Sequence, residues 1–307
     1  MCPLGAPADM SGEHDFLRWL AARPAPGADR VPIPIGDDLA ALSWGHGDLC
    51  LVGADQVIDK VHFDAAAHPP RAIGAKAVNR NLSDCAAMAA LPVAAVATMA
   101  LPRGAGQEYA RELYLGMSRA AAAFDCPVVG GDTASHDGRL VVTVTILARA
   151  AGVAPVRRTG AKPGHHVHVT GALGGSLLGR HMTFEPRVTW GRLIAQTWAP
   201  SAMIDLSDGL SRDLAVLCQA SGGVGAVIDA DHIPIHDDAL RAARADGATP
   251  LQHALHDGED YELLFTAEQP AGIGRWVGRI TAEPGIRLRM ADGSVVPVEP
   301  KGWDHAL

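Results

Sequence analysis

Met203–Leu214 reads MIDLSDGLSRDL. An apolar strand end meets an acidic turn, and an apolar helix opens near Gly209. Units of this strand–turn–helix kind recur along the chain and point to interleaved helices and strands, an α/β (mixed α+β) fold. The stretch also poses a chemical question. Asp205, Asp208 and Asp213 fall within nine residues, with Ser207 and Ser211 between them and no lysine. Helix capping by Asp205, Ser207 or Asp208 accounts for one or two of these side chains. It does not account for the similar groups elsewhere: Asp37–Asp38 in IGDDLA, Asp55 and Asp59 in GADQVID, Asp84 in NLSDCAAM and Asp132 in VVGGDTAS.

Working outward, Ser11–Leu20 is expected to form a first amphipathic helix, followed by a Pro/Gly/Ala linker over Arg23–Gly27. DLCLVGADQVI (48–58) reads as a buried strand ending in acids, and PPRAIGAKAVNRNLSDCAAMAA (69–90) as a long helix with Pro70 near its start. VAAVATMAL (93–101) follows as a strand, and EYARELYLGMSRAAAAF (108–124) as a second long helix. CPVVGGDTAS (126–135) reads as a strand running into a glycine turn, and RLVVTVTILAR (139–149) as a strand rich in β-branched residues. APVRRTGAKPG (154–164) suits a boundary, giving expected domains of residues 1–150 and 151–307. HHVHVTGALGGSLLG (165–179) restarts with a strand, a glycine turn and a helix, and GEDYELLFTA (258–267) is a strand preceded by acids.

The 307 residues are long enough for two domains with real cores. Hydrophobic residues make up 48% and charged residues 20%, a globular composition. The net charge of −8 argues against nucleic acid or an anionic membrane as partner. Five cysteines, an odd number with no CxxC pair, read as reduced thiols of a cytoplasmic protein. MCPLGAPADM lacks a basic region followed by an apolar run, so no signal peptide is expected.

GGDT at Gly130–Thr133 offers glycine backbone that could approach a phosphate or a metal, although a plain turn reads equally well. GALGGSLLG is neither G-x-G-x-x-G nor a Walker A loop, so any nucleotide is bound outside those classes. Taken singly, Ser83–Asp84 suits a helix cap and Asp37–Asp38 a turn. Taken together, hard oxygen ligands at several strand ends suit Mg²⁺. His166 and His168 share a strand face, but no third ligand at convincing spacing accompanies them.

The ordered series IGDD, AD..I.KVHF, KA...NLSDCAAM, VVGGDT, RRTGAKPG, VTG.LG.S, IDLSDGL..DL, GEDYELLF and KGWDH resembles the thiamine-monophosphate kinases over about residues 14 to 305. The wider superfamily includes aminoimidazole ribonucleotide synthetase, selenophosphate synthetase and a hydrogenase maturation protein. The resemblance implies a two-domain aminoimidazole ribonucleotide synthetase-like fold whose N-terminal domain pairs with a second copy. It implies transfer of the ATP γ-phosphate to thiamine monophosphate, with several Mg²⁺ at a site shared by two subunits. By position, Asp38, Asp55, Asp84, Asp132, Asp205 and Asp208 resemble the metal ligands, and Asp55, Asp132 and Asp208 the centre of the chemistry. Asp37 sits beside them. Tyr114, Gly131, Arg158 and Ser207 resemble ATP contacts, and His62, Glu259 and Trp303 contacts to the thiamine phosphate.

Two departures stand out. Gly53–Ala54 replaces the family's usual Ser/Thr–Thr pair, whose hydroxyls are expected metal ligands, and the segment between GSLLGR and HMTFEPRV is short. The rivals are another ATP-dependent reaction of the superfamily, or a homologue that binds nucleotide or thiamine phosphate with little turnover. Cys2 lacks the setting of the reactive selenium-enzyme cysteine, and the chain ends in His-Ala-Leu rather than the hydrogenase protein's cysteine.

Overall fold

The computed structural model describes residues 31–33, 36–43 and 48–303. Cys2, the expected Ser11–Leu20 helix, the Arg23–Gly27 linker and the Asp-His end of KGWDH lie outside them. β1 (Ala40–Ser43), β2 (Leu49–Ile58), β3 (Leu91–Pro102), β4 (Val128–His136) and β5 (Val141–Arg149) form a five-stranded sheet. Its order is β1-β2-β5-β3-β4, antiparallel except for β3–β4. β5 shows why it is a strand: Val142, Val144, Ile146 and Ala148 are buried while the residues between them are not, the period of two that one covered face imposes.

That covered face carries α1 (Pro70–Ala87), packed beside α2 (Gly106–Ala122). Pro70 opens α1, where its missing N–H costs nothing and its fixed φ suits the first turn. Ile73, Ala77, Val78, Leu82, Cys85 and Ala86 are buried. The alanines let α1 approach neighbours on several sides, so it also meets α3 (Val188–Trp198) and β7 (Ala202–Asp205) of the second half. α1 is thus the element on which both halves converge.

The second sheet has seven strands in the order β12-β11-β8-β10-β6-β9-β7. Its remaining members are β6 (His166–Val169), β8 (Gly225–Asp229), β9 (Leu263–Ala267), β10 (Arg275–Thr281), β11 (Gly285–Arg289) and β12 (Val295–Val298), and only β8–β11 is parallel. α4 (Leu210–Ala220) packs on it through Leu210, Leu214 and Leu217, all fully buried with Ile228 and Leu264. α5 (Asp237–Asp246) and α6 (Pro250–His256) pack together, and Thr249 closes a capping box with Gln252 at the start of α6. The fold is mixed α/β, with sheets largely antiparallel. No helix among the described residues is long and apolar enough to cross a membrane.

Three local expectations change. Ser83 and Asp84 sit in the last turn of α1 and cap nothing, because the helix begins at Pro70 rather than at NLSD. GGDT does not turn: β4 runs through it to His136, held by β3 alongside. After GALGG the chain makes only 3₁₀ turns, Ser176–Leu178 and Arg180–Met182, since Gly175 and Gly179, both at positive φ, bracket the segment.

Candidate active site

α1, the ends of β2 and β7, and the segments around Asp37, His181, Ser207 and Glu259 enclose a cleft of about 1230 Å³. Asp38, Asp84 and Asp205 converge there from three elements, with carboxylate oxygens within 4.8 Å of one another. Ser83 donates a 2.6 Å hydrogen bond to Asp205 Oδ2. Burial pushes Asp205 up to about 7, with Asp38 adding to it, and pushes Asp84 well above the usual carboxylate range, with Asp55 and Asp205 beside it. Acids crowded this way hold protons unless a cation replaces them. Three convergent hard oxygens fit Mg²⁺, which takes carboxylates and completes its shell with water and phosphate.

The sign of this linkage gives a test. Asp205 in the unfolded chain titrates near 3.9, so the metal-free fold binds a proton that the unfolded chain releases between that value and about 7. Stability from this group therefore falls as pH rises through the window. Adding Mg²⁺ is expected to raise Tm more at about pH 8 than at about pH 5.5. Equal gains by scanning fluorimetry at both pH values would argue against ions in this trio.

Cations balance the acids from the cleft wall. Arg158 grips Asp38 with two hydrogen bonds, Nε to Oδ2 at 3.0 Å and a terminal nitrogen to Oδ1 at 2.9 Å. Asp37, in contrast, accepts from Arg157 Nε at 2.8 Å and from the Arg158 backbone N–H at 2.7 Å, so it anchors the RRTG segment. Along α1, Lys76, Arg80 and Asp84 recur every four residues and share one face. Lys76, fully buried, donates to Glu259 Oε2 and to the His62 carbonyl, the latter at 2.7 Å. His181 Nδ1 lies 2.7 Å from Lys76 Nζ and 2.9 Å from Glu259 Oε2. Arg80 donates from Nε to Asp55 at 3.0 Å and sits 3.7 Å from Glu259.

The quoted acids divide by task. Asp205 belongs to the trio and Asp208 lines the cleft. Asp213, one turn inside α4, accepts from the Asp208 and Gly209 N–H groups at 3.1 and 3.0 Å. The cap therefore comes from within the helix, and Gly209 at the N-cap position leaves that role to it. GEDYEL divides likewise. The Glu259 and Tyr261 N–H groups donate to Ser207 and Leu206 carbonyls, tying the two motifs together. Asp260 accepts from the Gly174 N–H and from Arg180, while Asp257 takes the Gly175 N–H, so GALGG is held as a structural turn. Glu262 pairs with Arg187. Only Glu259 of these acidic GEDYEL side chains lines the cleft, together with Ser207, His62 and Trp303.

Three expected contacts lie elsewhere. Tyr114 on α2 and Gly131 and Asp132 on β4 do not line the cleft. Asp55, Val144, Ala97 and Gly131 form one cross-strand row, so Asp132, one residue on, points to the opposite sheet face, about 14 Å away across three strand spacings. Gly131 has a packing reason to be glycine: a Cβ there would meet the Ala97 carbonyl oxygen at 1.7 Å. His166 and His168 are buried and offer no metal cluster among the described residues. His168 stacks on Phe265 with ring centroids 5.1 Å apart, and burial pulls it down to about 4. Lys76, Arg80 and His181 were not singled out from sequence. The four-residue spacing of Lys76, Arg80 and Asp84 was the available signal for the first two; nothing local marks His181.

Comparison with known proteins is consistent with this geometry. Residues 36–150 match the AIR synthase related protein, N-terminal domain. A thiamine-monophosphate kinase of Rhodopirellula baltica is 39% identical over 310 residues, covering 95% of this chain and 97% of that protein. The chain belongs to the thiamine-monophosphate kinase family. An Aquifex aeolicus member is 31% identical, covering 88% of this chain and 92% of that one. A solved structure described as AaThiL complexed with AMPPCP and TMP superposes with a TM-score of 0.82 at 28% identity, covering 96% and 97% of the two chains. The hydrogenase maturation protein HypE in complex with ATP shares the fold at a TM-score of 0.68, 14% identity and coverage of 83% and 85%. Against the thiamine-monophosphate kinase pattern, Gly53 lacks a hydroxyl; a Cβ there would meet Leu39 Cδ2 at 2.5 Å, the end of a side chain that can turn aside.

Proposed function

We propose that this protein transfers the γ-phosphate of ATP directly to thiamine monophosphate, giving thiamine diphosphate and ADP. The observation that carries this reading is the convergence of Asp38, Asp84 and Asp205 beside Ser207, Arg158, Glu259 and Trp303 in one cleft. The acceptor is itself a phosphate, with a second pKa of about 6, and needs little help from a general base. Its difficulty is approaching another polyanion. Like unit charges about 4 Å apart repel by roughly 4 kcal/mol at an effective dielectric near 20. Bound Mg²⁺ would reduce that repulsion and favour an in-line approach. Asp38, Asp84 and Asp205 would hold it, with Asp208 beside them, and Arg158, once released from Asp38, could turn to a phosphate. The decisive assay is ADP formation with thiamine monophosphate, against thiamine and unrelated phosphates. Equal rates with the unrelated acceptors would defeat the reading.

Trp303 lines the cleft and is 46% exposed, with its backbone N–H on the Asp208 carbonyl. Its ring face suits the permanently cationic thiazolium, a contact of about 0.5–2 kcal/mol. His62 and Glu259 line the same cleft. Trp303→Ala is expected to raise the KM for thiamine monophosphate several-fold and to leave the KM for ATP near its parent value. Equal losses for both substrates would assign Trp303 to folding alone.

Asp132 finds a place in this reading if two copies assemble. The face of the first sheet away from α1 carries rows such as Gln56–Thr143–Thr98–Asp132 and Ala54–Thr145–Val96–Gly130. These small and polar side chains form a surface that a second copy could cover, carrying its own Asp132 toward a shared site. Sedimentation at twice the chain mass would support a homodimer. Division into residues 1–150 and 151–307, and a cytoplasmic setting, complete the proposal. None of the described cysteines is in a disulfide, as a reducing compartment requires.

A further inference from the structure

We propose that Arg80 is the resident counter-charge of Asp55, occupying the position where the kinase reading would otherwise place a divalent ion. The inference rests on that reading and refines the ligand set within it.

Asp55 lies beside Asp84 but outside the converging trio. The oxygens of Asp38, Asp84 and Asp205 converge, and Asp55 is not among them. Arg80 Nε instead donates to Asp55 Oδ2 at 3.0 Å. A guanidinium stays protonated throughout the working range and presents its charge in a fixed plane. Its side chain is 15% exposed and lies 3.7 Å from Glu259 as well. Leaving Asp55 would therefore break charge contacts to both carboxylates.

The surroundings also disfavour a metal at Asp55. Lys76 lies one helical turn from Arg80 on the same face, so two positive side chains already serve this wall. A divalent ion bound to the oxygen that Arg80 holds would face their repulsion. Neither Gly53 nor Ala54 offers a hydroxyl to complete its shell. The strand thus lacks neighbouring side-chain ligands where α1 supplies a cation.

The test counts Mn²⁺ bound per protomer by paramagnetic resonance in the presence of AMPPCP. Asp55→Asn in the otherwise unaltered protein is expected to leave both the count and the titration midpoint unchanged. Arg80→Ala is expected to admit one more Mn²⁺, which Asp55→Asn in the same chain removes. Loss of an ion in the single Asp55→Asn variant, or a weakening of about tenfold or more, would overturn the proposal. So would an unchanged count in folded Arg80→Ala. If Arg80→Ala does not fold, the single Asp55→Asn result still decides. A parent protein that binds no Mn²⁺ and forms no ADP would overturn the kinase reading and this refinement together. Normal Mn²⁺ binding and turnover in the parent, with an ion lost on Asp55→Asn, would remove the refinement alone.

Discussion

Asp84→Asn is expected to lower phosphoryl transfer by upwards of about a hundredfold while leaving the metal-free protein at least as stable as the parent. The two effects share one cause. Asp84 closes α1 within reach of Asp38 and Asp205, and burial together with the neighbouring acids holds its carboxyl well above the normal range. Ionising it at neutral pH opposes folding, and an amide of the same shape removes that opposition. Transfer between two phosphates depends on the charge those acids gather, and an amide oxygen is a weaker ligand than a carboxylate. Turnover in Mg²⁺ should therefore fall while thermal stability in EDTA holds or rises, and extra Mg²⁺ should restore neither the rate nor the Tm gain that it gives the parent. A variant that unfolds, or one that retains near-parent turnover at saturating Mg²⁺, would show that Asp84 serves packing rather than metal.

The recurring acids that pose the question in MIDLSDGLSRDL come together in part. Asp38, Asp84 and Asp205 each end a short motif at the edge of an element, and such edges face the cleft. Their neighbours in sequence are harder to read. Asp37 adjoins Asp38 but turns to Arg157, and Asp213 lies one turn past Asp208 but serves two N–H groups. All of these acids line the cleft, so a run of acids does not reveal which members join the converging trio, because that depends on backbone direction at each residue. GGDT misleads for a related reason. Two glycines suggest a turn, yet one lies where β3 approaches too closely for any Cβ. The α/β alternation was legible because apolar periodicity is local. The mainly antiparallel pairing was not, because strand neighbours are set by connections between distant residues. His181 reaches Lys76 across 105 residues of sequence, through packing that no local pattern encodes.

Lys76→Met is expected to be the most destabilising single change in the cleft, costing about 3–5 kcal/mol, and to raise the acceptor KM in whatever protein remains folded. Lys76 is fully buried, and burial draws its ammonium down to about 8, which leaves it charged at neutral pH. Burial pushes Glu259 up, but His181, Lys76 and Arg80 outweigh it and hold the carboxylate at about 2. Removing the ammonium leaves that carboxylate with His181 at 2.9 Å and Arg80 at 3.7 Å. Backbone strain adds to the demand on the pair. Glu259 and Tyr261 both sit at φ 52°, a left-handed conformation that costs a non-glycine residue about 1–2 kcal/mol. The turn is held by the Ser207 and Leu206 carbonyls, by Ser176 on the Glu259 carbonyl, and by Lys76 on the side chain. The double variant Lys76→Met/Glu259→Gln separates charge from shape. If an unpaired buried carboxylate is the main cost, the double variant regains much of the stability that Lys76→Met loses, because the amide needs no counter-ion. It should not regain the acceptor KM, since the cleft still lacks the Glu259 charge. Additive losses in urea midpoint would instead assign the role of Lys76 to filling space beneath α1.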